Sequence, residues 1–266
     1  MEAIKFGHTL PLPERAGYFE IGRQGSLSLE RLKECCMNRR GIAALLFLFL
    51  ASEALAQEKA PKVIDGWGNV ASSKRDCKIT PDEGKLTITV PGTPHNLNKV
   101  ISDLSAPRVL QEVEGDFTIQ VKVSGDFNPS PVSTVAPRGK AYNGAGLLLW
   151  VDDDLFVRLE RNIWMNGPVD AQCHPPLFEV MVKGAPTGTS PPPTAATFFG
   201  TPATWFRLAR SGDSVTPSYS HNGIDWTTAG AATLRLPKKV SVGVAAVNTS
   251  KKQFKAVFEE LQLTTK

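Results

Sequence analysis

The stretch GAGLLLWVDDDLFVRLER, residues 144–161, decides the fold. It reads as two β-strands joined by a tight acidic turn. Leu147, Leu148, Leu149 and Trp150 form a short apolar run, and Asp152, Asp153 and Asp154 form the turn. Side chains alternate along a strand with period two, so Val157 and Leu159 face a core while Arg158 and Glu160 face the other way. A charged outer face backed by an apolar inner one belongs to an antiparallel sheet with one side in water.

The same alternation recurs along the chain. Leu86, Ile88 and Val90 alternate with Thr87 and Thr89, and Phe117, Ile119, Val121 and Val123 with Thr118, Gln120 and Lys122. Phe178, Val180 and Val182, Phe206 and Leu208, and Val240, Val242 and Val244 repeat it, and Phe254 to Leu263 closes the series. The weaker runs bring the count to roughly a dozen strands with no stretch of helical period, the pattern of an all-β sandwich or barrel. Residues 127–143 and 184–202 are rich in Pro, Gly, Ser and Thr and read as long surface loops.

The start of the chain carries an address. Met37-Asn38-Arg39-Arg40 is followed by an apolar run from Ile42 to Ala51 and then by Ala54-Leu55-Ala56. A basic segment, about ten apolar residues and an Ala-x-Ala site make a secretory signal peptide over 37–56, cleaved between Ala56 and Gln57. The run falls short of the roughly 20 residues a membrane span needs. Residues 1–36 are then expected to be an upstream extension, 57–64 a tether and 65–266 one β-domain. The expected address is secreted or periplasmic, with no membrane span in the mature chain. Of the 30 Lys and Arg, seven precede Gln57; of the 26 Asp and Glu, six do, so the remainder carries a net +3. No basic run follows Gln57, which argues against nucleic acid as a partner.

Cys77 and Cys173 are the cysteines left after processing, and an even pair in an oxidising compartment is expected to form a disulfide. Cys173-His174 has no second Cys or His at ligand spacing, and Asp152 to Asp154 lack the spacing of a calcium loop, so no metal and no cofactor is expected. His95, in a loop with prolines at 91 and 94, is expected to be a hydrogen-bonded anchor. Asn222-Gly223 reads as a two-residue hairpin turn.

Five segments carry a resemblance to a known family: GKLTITVPGTPHNL (84–97), APRVLQEVEGDFTIQVKVSGDF (106–127), 144–161, WFRLARSGDSVTPSYSHNGIDWT (205–227) and LPKKVSVGVAAVNTSKKQFKAVFEEL (236–261). Together they resemble the family called domain of unknown function 1349, also labelled "regulation of enolase" protein, of the concanavalin A-like superfamily. The resemblance implies a jelly-roll sandwich of two antiparallel sheets and glycan-related work, without an established activity.

The chemistry-bearing residues follow from strand phase. Arg158, Glu160, Glu179 and Arg207 all fall on the outward phase and are expected to meet on one sheet face. There they form either a ladder of ion pairs or the floor of a sugar-binding concavity. Trp150 and Trp164 are the candidate stacking residues, Trp164 from a loop after the strand, while Trp67 and Trp205 are expected to pack. Glu112-Val113-Glu114-Gly115-Asp116 has the wrong spacing for the paired carboxylates of a laminarinase-type glycosidase and reads as a strand end and turn. The leading expectation is a secreted, non-catalytic carbohydrate-binding, lectin-like protein with a glycan or polysaccharide as partner. A glycoside hydrolase using Glu160 and Glu179, and a protein-interaction module using the two Pro-rich loops, are the alternatives.

Overall fold

The computed structural model describes residues 62–71, 74–135, 139–165, 171–187 and 201–266, with the backbone alone for 171–176. The expected extension (1–36), the signal peptide (37–56) and the first part of the tether lie outside the described residues. Val63–Ile64 already pairs with Gly68 and Asn69, so the sandwich takes up the chain at the end of the expected tether.

Sixteen strands are present among the described residues, and the twelve of four residues or more match the dozen read from alternation. The first sheet runs in the order β1(Val63–Ile64), β2(Gly68–Ala71), β5(Arg108–Glu114), β15(Lys239–Asn248), β7(Tyr142–Asp152), β8(Leu155–Met165), β9(Ala171–Val182), β10(Ala185–Pro186). The second runs β13(Thr227–Thr228), β12(Ser214–Ser220), β11(Ala203–Ser211), β6(Phe117–Gly125), β16(Phe254–Thr265), β4(Lys85–Val90), β3(Lys78–Asp82), with β14(Ala232–Thr233) also on β12. Every pairing is antiparallel. From β4 to β7 the chain changes sheet at each step, and β15 and β16 do so again. This two-sheet crossing pattern is the concanavalin A-like jelly roll that the resemblance implies.

Period-two alternation explains the core between the sheets. Leu147, Leu149, Val157, Leu159 and Phe178 from the first sheet meet Ile119, Val121, Phe206 and Phe258 from the second, all fully buried. The acidic turn forms as read: Asp152 Oδ1 accepts from the backbone N–H groups of Asp154 and Leu155 at 2.8 and 2.9 Å. The Asn222-Gly223 turn is longer than the expected two residues. β12 ends at Ser220 and β13 starts at Thr227, because Asn222 Oδ1 accepts from the N–H groups of Ile224 and Asp225, both at 2.9 Å, and holds a wider loop.

The expectation of one wet face fails for the first sheet. A second apolar cluster lies on its outer side, where Leu97 and Ala106 of the segment after β4 pack on Leu110, Leu148, Phe156 and Met181. That segment is tied down at its start. His95 pairs antiparallel with Asn248, and Asn248 Nδ2 donates to the carbonyls of Pro91 and Lys252 at 2.8 and 2.9 Å. His95 is wholly buried, as expected of an anchor.

The expected disulfide does not form. Cys77 is a free thiol whose sulfur lies 3.7 Å from His95 Nδ1. The register His95–Asn248–Asn143–Ile163–Cys173 crosses four strand spacings of about 4.8 Å each, whereas bridged cysteines need Cα atoms within roughly 7 Å. The side chain of Cys173 lies outside the described residues. Surviving as a pair in the sequence therefore did not make the two cysteines neighbours.

Leu159, fully buried between the sheets, tests this packing. Leu159→Ala is expected to cost about 2–5 kcal/mol, read as a lowered urea midpoint with an unchanged m-value.

Candidate ligand site on the outer face of the first sheet

Register places the expected residues rung by rung. On the outer face of β7 and β8, Tyr142 stands opposite Trp164, Gly144 opposite Asn162, Gly146 opposite Glu160, Leu148 opposite Arg158 and Trp150 opposite Phe156. Arg158 faces Glu179 on β9. Five of the six predicted residues, Trp150, Arg158, Glu160, Trp164 and Glu179, thus share one sheet face.

Arg207 does not. It lies on β11 of the second sheet, where its guanidinium donates to Gln120 Oε1 at 2.8 and 3.2 Å and stacks 3.7 Å from the Trp226 ring centroid. Equal strand phase puts a residue outside its own sheet, and in a sandwich the two outsides point in opposite directions. Trp205 shares this second face rather than packing in the core, donating from Nε1 to Glu260 Oε2 at 2.9 Å.

The charges on the first sheet are buried rather than wet. Arg158 is 8% exposed and Glu160 2%. Arg158 Nε donates to Glu179 Oε1 at 2.9 Å, and its Nη1 lies 3.4 Å from Glu160 Oε1 without forming a hydrogen bond there. The Tyr142 hydroxyl donates to the same Glu160 oxygen. Burial, and then the nearby charge of Glu179, hold the Glu160 carboxyl in its protonated form well above the usual carboxylate range. Arg158 is accordingly neutralised by Glu179. The two carboxyls therefore differ in state, one protonated and one paired with a cation.

Tyr142 and Gly144 were missed in the sequence, and the reason is geometric. A Cβ at position 144 would stand 2.7 Å from Glu160 Oε1 and 2.7 Å from the Tyr142 hydroxyl oxygen. Only glycine leaves room for the tyrosine to reach across one rung to the glutamate. Gly144 is visible in the sequence, but the Glu160 side chain reaches it only through strand pairing.

Aromatic side chains border the charged group. Trp150, half-buried, stacks on Phe156 at 5.0 Å with Arg108 4.2 Å over its ring centroid. Trp164 lies inside β8 rather than in a loop, half-buried, with the Lys140 ammonium over its ring. Tyr142 is the third. The face thus sets aromatic area beside fixed hydrogen-bond donors and acceptors.

A sequence model of the family described as "Protein of unknown function (DUF1349)" matches residues 92–266, and the chain belongs to that family. That description makes no mention of enolase. A functionally unknown protein from Saccharomyces cerevisiae has a similar solved structure, with 17% identity, 75% of this chain and 97% of that chain covered, and a TM-score of 0.57. A xylan β-1,4-xylosidase from Bacillus halodurans matches at 12% identity, over 71% of this chain and 38% of that one, with a TM-score of 0.46. The carbohydrate-binding module CBM66 from Bacillus subtilis matches at 12% identity, over 77% of this chain and all of that one, with a TM-score of 0.43. No curated protein matches the chain. At these identities the likeness speaks to the fold alone. Among the described residues no helix is long and apolar enough to cross a membrane.

The raised Glu160 carboxyl sets a pH dependence. Above its ordinary value of 4.5 the unfolded chain loses this proton while the folded chain keeps it. The folded state then binds more protons, so stability falls as pH rises from about 4.5 toward the folded value. Glu160→Gln is expected to flatten that part of the profile and to raise the melting temperature near neutrality. Melting temperatures of both proteins from mildly acidic to neutral pH provide the check.

Proposed function

We propose that this protein is a secreted, non-catalytic glycan-binding protein and that the outer face of its first sheet holds the ligand. The observation that carries the reading is the buried Arg158–Glu179–Glu160 network, bordered by Trp150, Trp164 and Tyr142. Replacing a buried ion pair by apolar residues is often neutral or stabilising, so stability alone does not explain why a sheet face carries one. Sugar hydroxyls both donate and accept, and a guanidinium with a free N–H beside a protonated carboxyl offers complementary partners. The signal-like segment ahead of Gln57 supports export. N-terminal sequencing of the exported protein is expected to begin at Gln57, and a retained Met37 would contradict it.

Hydrolysis is the second reading, favoured by the division of roles between the two carboxyls. Glu160 has the protonated state of a general acid, and Glu179, held by Arg158, is placed beside it as the candidate base or nucleophile. The 2% exposure of Glu160 weighs against it, because a general acid must reach the glycosidic oxygen.

A glycan array followed by calorimetry on the best ligand tests both. Trp164→Ala and Glu179→Gln are each expected to weaken binding by about 1–3 kcal/mol, the loss of a stacking surface or of one buried partner. Parent-like binding by both variants would place the ligand elsewhere. Release of reducing ends from the bound glycan, lost in Glu160→Gln, would favour the hydrolase.

A further inference from the structure

Asp76 and Cys77 are adjacent and His95 lies 18 residues beyond Cys77, and none was read in the sequence as a ligand. The fold brings a donor atom from each within 4.8 Å of the others. Asp76 and Cys77 precede β3 at the edge of the second sheet, and His95 belongs to the segment that leads onto the outer face of the first.

Histidine tautomer is the informative feature. His95 Nδ1 lies 3.3 Å from the backbone carbonyl of Ser105, which can only accept, and 3.7 Å from Cys77 Sγ; the tautomer with its proton on Nδ1 serves that carbonyl and leaves the Nε2 lone pair open. Nε2 then faces Asp76 Oδ2 and Thr93 Oγ1, both at 3.1 Å, and Thr93 Oγ1 directs its own proton to Asp76. In that tautomer the Nε2 lone pair faces a carboxylate oxygen, and a cation bound between the two would satisfy both.

The distances fit a metal. A tetrahedral zinc with Zn–S near 2.3 Å, Zn–N near 2.0–2.1 Å and Zn–O near 2.0–2.2 Å holds its ligand atoms roughly 3.3–3.6 Å apart. Here His95 Nε2 is 3.1 Å from Asp76 Oδ2, while Cys77 Sγ is 3.8 Å from Nε2, 3.7 Å from Nδ1 and 3.8 Å from the other Asp76 oxygen, Oδ1. One donor atom from each residue lies within 4.8 Å of the others, and rotation of the Cys77 and Asp76 side chains toward Nε2 closes the set. The Nδ1–H to Ser105 carbonyl bond is the outer contact that metal-binding histidines use to fix their tautomer. His95 is wholly buried while the Asp76 side chain is 43% exposed, so the group opens to solvent on the aspartate side.

We propose that Asp76, Cys77 and His95 Nε2 form a three-ligand site for a thiophilic divalent cation of the zinc type, with solvent in the fourth position. On binding, the Cys77 thiol gives its proton to the buffer as the metal–sulfur bond forms. No redox change is involved. A bound ion ties the turn that leads into β3 to the segment that covers the first sheet, so it steadies that cover. The free thiol is no ready nucleophile, since burial and then the Asp76 charge push it up to about 12.

Cobalt(II) titration of the purified, metal-free protein tests the site, with zinc as competitor and Cys77→Ser and Asp76→Asn as variants that keep side-chain size. The expected result is one equivalent bound, a near-ultraviolet sulfur-to-cobalt band displaced by zinc, and a melting temperature that rises with zinc concentration. Cys77→Ser should abolish the band, and each variant should weaken zinc by at least about 100-fold, beyond the range seen for outer-sphere contacts. Binding of cobalt without a sulfur band, unaltered zinc affinity in both variants, or no saturable binding would each overturn the proposal. Unchanged melting of the two variants without metal keeps a folding defect from imitating the loss.

Discussion

Two sheets facing each other can cover only one side of each, and in this protein the first sheet is apolar or neutralised on both. Its inner face meets the second sheet through Leu147, Leu159 and Phe206, all fully buried. Among the described residues its outer face has no partner sheet, and the segment after β4 folds back across it and lays Leu97 and Ala106 on Leu148 and Phe156. Much of the remaining architecture follows from that second covering. His95 and Asn248 fasten the start of the segment, and Arg158 and Glu160 are buried on the same face. A guanidinium there needs a counter-charge within reach, and Glu179 supplies it at 2.9 Å. A carboxyl beside that pair is left to keep its proton, and Tyr142 reaches it because position 144 has no side chain.

The fold was legible because period two is a local property. Leu159 and Val157 alternate with Arg158 and Glu160 whatever the rest of the chain does, and the structure puts the first pair between the sheets and the second on the outside. The acidic turn at Asp152 was legible for the same reason, since its hydrogen bonds stay within three residues. The Asn222 turn was misjudged in length because a side-chain oxygen capping two successive N–H groups competes with the two-residue hairpin, and dipeptide identity does not report which arrangement wins.

What exceeded the sequence was everything decided by which strands become neighbours. Phase told that Arg207 points out of its sheet but could not tell which sheet that was. Outward phase was equated with water, whereas the segment after β4 covers the apolar part of that face and Arg158 and Glu160 are themselves buried. Pairing of Cys77 with Cys173 followed from counting, and strand order separates them. The contact of Cys77 with His95 and Asp76 has no signature at fixed spacing, because it depends on a loop meeting the entrance of an edge strand. Residues that act through one sheet face, such as Trp150, Arg158, Glu160, Trp164 and Glu179, were found together because three adjacent strands carry them at matching rungs.

The central claim is that the charged network on the first sheet is kept for a ligand rather than for stability. The urea midpoint of an Arg158→Met, Glu160→Leu, Glu179→Leu variant, set beside that of the parent at neutral pH, tests it most directly. If the network serves a ligand, removing all three polar groups together leaves no buried charge unmatched, and the midpoint stays equal or rises. A midpoint well below the parent's would show that the network holds the sheet together, and would contradict the account.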